Sequence, residues 1–303
     1  MYIGRFAPSP TGPLHFGSLL AAVASYLEAR SQQGKWLLRI EDIDKPREVP
    51  GAADNIIHTL KRYGFVSDEP IIYQSQRGNA YQQALEQLSA YTYPCTCSRR
   101  EIHRHANIGP LGVIYPGTCR NQQKRNQSDP ADNRQYAIRV RVPDENIGFN
   151  DAVQGSHCQN LQAESGDFII RRADGLFAYQ LAVVVDDQWQ GVTHIVRGAD
   201  LLPNTQRQIC LQRYLGYTTP QYLHIPLAMN PDGQKLSKHT HAPAIPADST
   251  ADIIGHLCRA MRFLGHRPPP ADTFARTGEF WQWAIAHWNQ QLIPNALEIP
   301  LTG

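Results

Sequence analysis

The sequence predicts an α/β protein built on a parallel sheet, and three observations carry that reading. The first half alternates strand-like and helix-like segments, a second alternation resumes at Phe168, and a turn dense in Pro and Gly joins the first strand to the first helix.

Each element follows from local chemistry. Pro8, Pro10, Gly12 and Pro13 forbid regular structure between Ile3 and Leu14, so Tyr2 to Phe6 is a short strand that ends there. Leu19, Leu20, Val23, Tyr26 and Leu27 recur at helical spacing, which predicts a helix from Leu19 to Arg30 with Ser18 placed to cap it. Lys35 to Ile40 reads as the second strand, Ala53 to Tyr63 as a helix closing at Gly64, and Gln83 to Tyr91 as further helix. Pro94 opens a cysteine-bearing, loop-rich section that runs to about Arg134, and Tyr136 to Val142 then alternates like a half-buried strand. The second α/β stretch comprises Phe168 to Arg171, the apolar run Leu181 to Val185, Thr193 to Val196, and a helix from Asn204 to Tyr214. Pro243, Pro246 and Pro268 to Pro270 punctuate a short tail, helical from Thr250 to Leu264 and Glu279 to Gln290, that has the size to clamp onto the rest. There is no internal repeat.

A chain of 303 residues with 42% hydrophobic content buries a large core, as one α/β domain with insertions or as two domains. The net charge of +2 neither excludes nor suggests a nucleic-acid partner, so any phosphate-binding surface must be local. Arg120 with Lys124 and Arg125, and the Arg139/Arg141 alternation, are the basic candidates, and each reads first as a solvated face. No basic-plus-apolar leader opens the chain, and no apolar run approaches the roughly 20 residues that span a bilayer. A soluble cytoplasmic monomer with no membrane contact is expected. Six cysteines in so long a chain do not resemble a secreted disulfide framework.

Several clusters carry possible chemistry. His15 and Gly17 fall at the start of the first helix, where free N–H groups and the helix dipole favour a phosphate; an ordinary Pro-rich loop explains the same residues. Glu41, Asp42 and Asp44 follow the second strand at the end where open α/β sheets bind ligands, although strand alternation would separate Glu41 from the other two. Helix capping is the competing account. Cys95, Cys97 and Cys119 offer three soft ligands suited to structural zinc, and ligand chemistry alone would choose His103 or His105 as the fourth. Cys158, Cys210 and Cys258 are isolated and read as small, buried or inert residues. Phe177 to Asp187 is an apolar core segment running into two acids, and Asn230-Pro231-Asp232-Gly233 is a turn presenting Lys235-Leu236-Ser237-Lys238-His239 on a loop.

Taken together, Arg5 to Ser18, Arg39 to Asp44, Tyr115-Pro116-Gly117-Thr118-Cys119, Val196 to Asp200 and the Lys235 to His239 loop resemble the glutamyl branch of the class I aminoacyl-tRNA synthetases. His15-Phe16-Gly17-Ser18 stands for its HIGH motif, with Ser18 where a second histidine is usual, and Lys235-Leu236-Ser237-Lys238 for its KMSKS loop. The resemblance implies a Rossmann-like parallel sheet divided as residues 1–92 and 166–242, a zinc-bearing, acceptor-binding-like insertion over 93–165, and a helical tail over 243–303 in place of an anticodon-binding domain. It implies that Arg5, Ala7, Ser9, Glu41, Tyr179 and Arg197 hold L-glutamate, Glu41 taking the ammonium. It assigns ATP, entering with Mg²⁺, to His15, Gly17, Ser18 and Lys238, with His15, Lys235 and Lys238 as the catalytic set. One structural zinc per chain would sit on Cys95, Cys97, Cys119 and Tyr115. Val183 departs from the usual asparagine, which implies weaker glutamate binding, and Ile43 departs from the usual threonine, which implies that a hydroxyl-dependent contact there is missing.

The short tail narrows the resemblance to the truncated branch of the family, which activates glutamate without tRNA and then glutamylates the queuosine base at the wobble position of tRNA(Asp). Three other readings are weighed beside it: an ordinary glutamyl enzyme that charges the 3′ end after losing its anticodon domain, a catalytically silent RNA-binding paralogue, and a more remote HIGH-bearing nucleotidyltransferase. The intact Arg5, Glu41 and Lys238 set speaks against silence.

Overall fold

The computed structural model describes residues 1–109, 112–121, 135–230, 233 and 243–301. Its first half runs β1 (Ile3–Phe6), α1 (Phe16–Ser31), β2 (Lys35–Ile40), α2 (Ala52–Arg62), β3 (Ile72–Tyr73) and α3 (Gly78–Gln87). β1 pairs in parallel with β2 from Ile3↔Lys35 to Phe6↔Leu38, and β2 pairs in parallel with β3. This is the predicted strand-helix alternation, and α2 closes at Gly64 with φ +83. A Cβ at Gly64 would meet the Trp281 ring nitrogen at 2.8 Å, so the glycine serves both the turn and the packing of the tail.

The middle of the chain contains β4 (Thr92–Cys95), α4 (Arg99–His105), β5 (Ile108–Gly109), β6 (Gly112–Val113), β7 (Ala137–Val140), β8 (Asn146–Asp151), β9 (Gly155–Asn160), α5 (Leu161–Glu164) and β10 (Ile169–Arg171). Pro94 lies inside β4 rather than ending it. β4 is an edge of the antiparallel sheet β10-β7-β4, where a missing N–H donor is tolerated. β8 and β9 form a hairpin that joins the sheet β11-β12-β8-β9.

The remaining elements are α6 (Tyr179–Trp189), β11 (His194–Gly198), α7 (Thr205–Leu215), β12 (Gln221–Ile225), β13 (Leu227–Met229), α8 (Thr250–Phe263), α9 (Thr277–Ala286) and β14 (Glu298–Pro300). β11 and β12 pair in parallel, bringing Arg197 opposite His224. Thr193 stitches this half to β1, donating its backbone N–H to the Ile3 carbonyl and accepting the Ile3 N–H on its hydroxyl, both at 2.9 Å. The carboxyl ends of β1, β2, β11 and β12 therefore open onto one crevice.

Two large cores support that crevice. One packs Leu19, Leu27 and Trp36 with Leu257, Met261, Phe280 and Trp281, so α8 and α9 lie on α1. The Trp281 indole donates to the Tyr63 carbonyl at 2.9 Å. The other surrounds α6, which is buried from Gln180 to Asp187. A helix enclosed on all sides shows no polar stripe, which is why Leu181 to Val185 reads in sequence simply as a core run. No helix among the described residues is long and apolar enough to cross a membrane.

Candidate active site

The site begins where β1 gives way to α1. The helix starts at Phe16, three residues earlier than the apolar spacing suggests, so its cap is His15 and not Ser18. The His15 Nδ1 accepts the Ser18 N–H at 3.3 Å, and the Ser18 hydroxyl lies 3.0 Å from His15 Nε2. Ser18 thus holds the histidine ring over the helix start, and His15 takes two of the first-turn N–H groups, that of Ser18 on its ring and that of Leu19 on its carbonyl.

A cleft of about 680 Å³ opens there, lined by Arg5, Ala7, Ser9, His15, Gly17, Ser18, Glu41, Tyr179 and Arg197 among others. Every residue expected to hold the two small substrates, Lys238 excepted, is therefore on one surface. Lys235 and Lys238 lie outside the described residues. The chain on either side of them reaches the same place: Leu227 and Ala228 line the cleft, and Ala244 bridges to the backbone of His15.

Charge in the cleft is arranged in two buried networks. In the first, Arg5 gives Nε and Nη2 to the two oxygens of Asp187 at 3.0 and 3.3 Å, and Arg39 gives Nη2 to the same carboxylate at 2.8 Å. Arg39 also reaches Glu41 at 3.5 Å. Burial pushes the Glu41 carboxyl up to about 7, against the pull of Arg39 and Arg5. Burial also pushes Asp187 up, but Arg5 and Arg39 together outweigh it and hold that carboxyl below its ordinary value. Nε and Nη2 of Arg5 are thus both held from behind by Asp187, and Nη1 is its one nitrogen outside that pair.

In the second network Arg197 donates Nε to His224 Nε2 at 2.9 Å, Nη1 to Gln208 at 2.8 Å and Nη2 to Thr205 at 2.9 Å. His224 Nδ1 lies 2.6 Å from Asp151. Burial pushes the imidazole down to about 4 despite that carboxylate, so it is neutral. Tyr179 is half-buried at the edge of the second core, and the desolvation of its phenol pushes the pKa up.

Glu41, Asp42 and Asp44 do diverge, although not by strand alternation, because β2 stops at Ile40. The Glu41 N–H is tied to the Pro8 carbonyl at 3.0 Å. Asp42 accepts the N–H and hydroxyl of Ser75, at 2.8 and 2.5 Å, and Asp44 pairs with Arg47 and Arg172. Val183 is 1% exposed in the second core, one helical turn from both Tyr179 and Asp187, and is not among the residues lining the cleft. The departure from asparagine therefore falls outside the cleft lining.

Away from the cleft, the sulfur atoms of Cys95, Cys97 and Cys119 lie within 4.8 Å of one another and could hold a metal ion. The Tyr115 hydroxyl stands 3.4 Å from Cys95 Sγ and 3.5 Å from Cys97 Sγ, and it accepts the Cys119 N–H at 2.8 Å. His103 is exposed on α4 and outside this cluster; the His105 side chain lies outside the described part of the chain.

Residues 3–282 match the family model for class I tRNA synthetases (E and Q), catalytic domain. The chain belongs to this family. Within it, the Glutamyl-Q tRNA(Asp) synthetase of Dechloromonas aromatica (strain RCB) is 52% identical over 297 residues, 97% of this chain and 96% of that protein. The protein of the same name from Pseudomonas paraeruginosa (strain DSM 24068 / PA7) is 51% identical over 301 residues, 99% of this chain and 97% of its own. Among solved structures, a glutamate tRNA ligase from Elizabethkingia meningosepticum, crystallised with its amino acid, superposes with a TM-score of 0.76 at 26% identity. That match covers 97% of this chain and 66% of that one, so this synthetase spans about two thirds of that ligase.

Several residues of this synthetase's site escaped the sequence reading. Asp187, shared with Arg39, anchors Arg5, and His224, Gln208 and Thr205 anchor Arg197, with Asp151 behind His224; the paired acids ending the Phe177 to Asp187 run were the one visible signal. Those acids point to different partners, since Asp186 accepts from Gln74, Arg77 and Tyr81. Two expectations are corrected. Arg139 is 7% exposed and lies over the Tyr115 ring at 3.9 Å, while Arg141 covers the Tyr93 ring and donates to the Arg120 carbonyl, so neither belongs to a solvated basic face. Cys210 and Cys258 are buried as expected, but Cys158 is exposed on β9. Lys124 and Arg125 lie outside the described residues.

Proposed function

We propose that this synthetase activates L-glutamate with ATP, without tRNA, and then transfers the glutamyl group to the queuosine base at the wobble position of tRNA(Asp). The observation that carries the reading is the convergence, in one cleft, of two arginines, one glutamate and the His15-capped start of α1. Glutamate carries two carboxylates and one ammonium, and Arg5, Arg197 and Glu41 complement those charges. The near-full-length likeness to proteins named for tRNA(Asp) supports the choice of acceptor.

The first step needs no general base, because a carboxylate with a pKa of about 4.3 is ionised at neutral pH. A glutamate carboxylate oxygen attacks the α-phosphorus of ATP, the bond to the bridging oxygen breaks, and pyrophosphate leaves with its charge. Arg5, Ala7, Ser9, Glu41, Tyr179 and Arg197 orient the amino acid, while His15, Gly17 and Ser18 receive the nucleotide, which enters with Mg²⁺. Lys235 and Lys238 neutralise charge on the departing pyrophosphate. A hydroxyl of queuosine then attacks the activated carbonyl and AMP departs. On this reading the chain acts as a monomer in the cytoplasm.

Labelled glutamate, ATP and tRNA(Asp) with and without queuosine test this. Label should appear only on the queuosine-bearing tRNA, and pyrophosphate exchange should proceed with no RNA present. Label on the 3′-terminal adenosine would instead establish the ordinary charging reaction, and silence in both assays an RNA-binding paralogue.

The same reading includes one structural zinc per chain on Cys95, Cys97, Cys119 and Tyr115. A tetrahedral zinc with bonds near 2.3 Å to sulfur and 2.0 Å to oxygen would space a sulfur and the oxygen about 3.5 Å apart and two sulfurs about 3.8 Å apart. The spacings of 3.4 and 3.5 Å from the Tyr115 oxygen to two sulfurs, and 3.4 Å between Cys97 and Cys119, lie within a few tenths of an ångström of those values. The metal would cross-link β4 to the segment around Tyr115 and take no part in the reaction. Elemental analysis should return one zinc for the wild type and none for Cys97→Ser; an equal content in both would remove the assignment.

A further inference from the structure

Arg197 is a buried cation, 4% exposed, whose hydrogen-bond partners are all uncharged. His224, Gln208, Thr205 and the Leu201 carbonyl receive its N–H groups, and among the described residues no carboxylate pairs with it. Arg5 differs in this respect, since Asp187 meets it directly. Asp151 lies behind Arg197 at one remove, with the His224 ring between the two.

The hydrogen-bond pattern fixes the proton on that ring. An arginine donates only, so His224 Nε2 facing Arg197 Nε must be the acceptor, and Nδ1 carries the hydrogen toward Asp151 at 2.6 Å. Asp151 is itself held in orientation. Its other oxygen accepts three backbone N–H groups, from Val153 at 3.0 Å, Gln154 at 2.9 Å and His224 at 3.1 Å. That oxygen accepts whatever the side chain's charge, and the oxygen facing His224 is the one that sets the tautomer. Both side chains are fully buried.

We propose that His224 and Asp151 are positioning residues for substrate recognition: Asp151 fixes the Nδ1–H tautomer of His224, and His224 aims Arg197 while leaving its positive charge for a carboxylate of the amino-acid substrate. A carboxylate in direct contact would aim the guanidinium as well but would satisfy its charge, and a ligand carboxylate would then compete with it. A neutral imidazole orients without competing. The inference rests on the reading of the cleft as a glutamate site and adds to it how one of the two arginines is kept available.

Asp151→Asn separates positioning from packing. The amide oxygen keeps the three backbone N–H groups, so the amide NH₂ faces Nδ1 and the ring must present Nε2–H to the Arg197 N–H, donor against donor. Calorimetry with wild type and variant should show glutamate binding weakened about 10- to 100-fold, the loss of a charge-assisted carboxylate contact, with ATP binding unchanged. Equal glutamate affinity in the two proteins, or ATP affinity falling by the same factor, overturns the proposal. Nitrogen-15 chemical shifts of His224 in the wild type give a second readout that does not depend on the variant folding. An Nδ1–H tautomer is expected, and an Nε2–H tautomer overturns the proposal. A wild type that binds ATP but no glutamate overturns instead the functional reading on which this rests, and is told apart by the wild-type titration alone.

Discussion

Glu41→Gln is expected to lower kcat/KM for glutamate in pyrophosphate exchange by about 100-fold or more, and at pH 8 to raise the melting temperature by about 5 °C. The two effects share one cause. Glu41 is 8% exposed, and its cationic partner at 3.5 Å, Arg39, is already engaged by Asp187. The amino acid's ammonium would supply the missing counter-charge. Without substrate, the ionised carboxylate is poorly solvated, which is why its pKa stands at about 7.

The sign follows from linkage. The folded-state pKa lies above the unfolded value of 4.5, so the folded protein binds the extra proton across that interval. The stability this represents is fully present below about 4.5 and is lost as pH rises through 7. Glutamine carries no charge to desolvate, so the variant escapes a penalty of roughly 3 kcal/mol at high pH. The wild-type kcat/KM for glutamate should rise with pH through an inflection near 7, the free enzyme's ionisation, and the variant should lose that inflection. An unchanged KM for glutamate in the variant would remove Glu41 from the ammonium site. Thermal denaturation at pH 5 and pH 8 checks the rest, since the stabilisation should appear at pH 8 and shrink at pH 5.

The first half of the fold was legible because its signals are local. Proline and glycine between Phe6 and Leu14, the apolar spacing of α1 and the glycine after α2 each act within a few residues. Where the reading went astray, a partner distant in sequence decided the outcome. Arg139 and Arg141 look like a wet alternation until Tyr115 and Tyr93 are placed beneath them. Pro94 looks like a breaker until β4 proves to be a sheet edge. The site divides the same way. Arg5, Glu41 and Arg197 could be carried over residue by residue from a motif, but motifs name the groups that meet substrate and not those that hold them. Asp187 is 182 positions from Arg5, and Asp151 reaches Arg197 through a histidine on a neighbouring strand. No local pattern announces such pairs.

Asp187→Asn should therefore be the most damaging single change at the site that touches no substrate, costing about 3 to 5 kcal/mol of stability. Asp187 accepts from both Arg5 and Arg39, which are 4% and 0% exposed, and an amide meets two guanidinium groups with one acceptor and no charge. Because Asp187 is held below its unfolded pKa, its contribution is present above about 4 and disappears as pH falls further. The wild-type advantage over the variant should accordingly shrink in acid. Stability and recognition can be separated by adding Arg39→Met, which removes one of the two stranded cations. The double variant should unfold at higher denaturant than Asp187→Asn alone, since deleting both members of a buried pair costs less than deleting one. Glutamate affinity should stay low in both, because Arg5 still lacks the carboxylate that holds it from behind. If the double variant recovered glutamate binding along with stability, Asp187 would be a structural counter-ion to Arg39 and its bond to Arg5 would have no part in recognition.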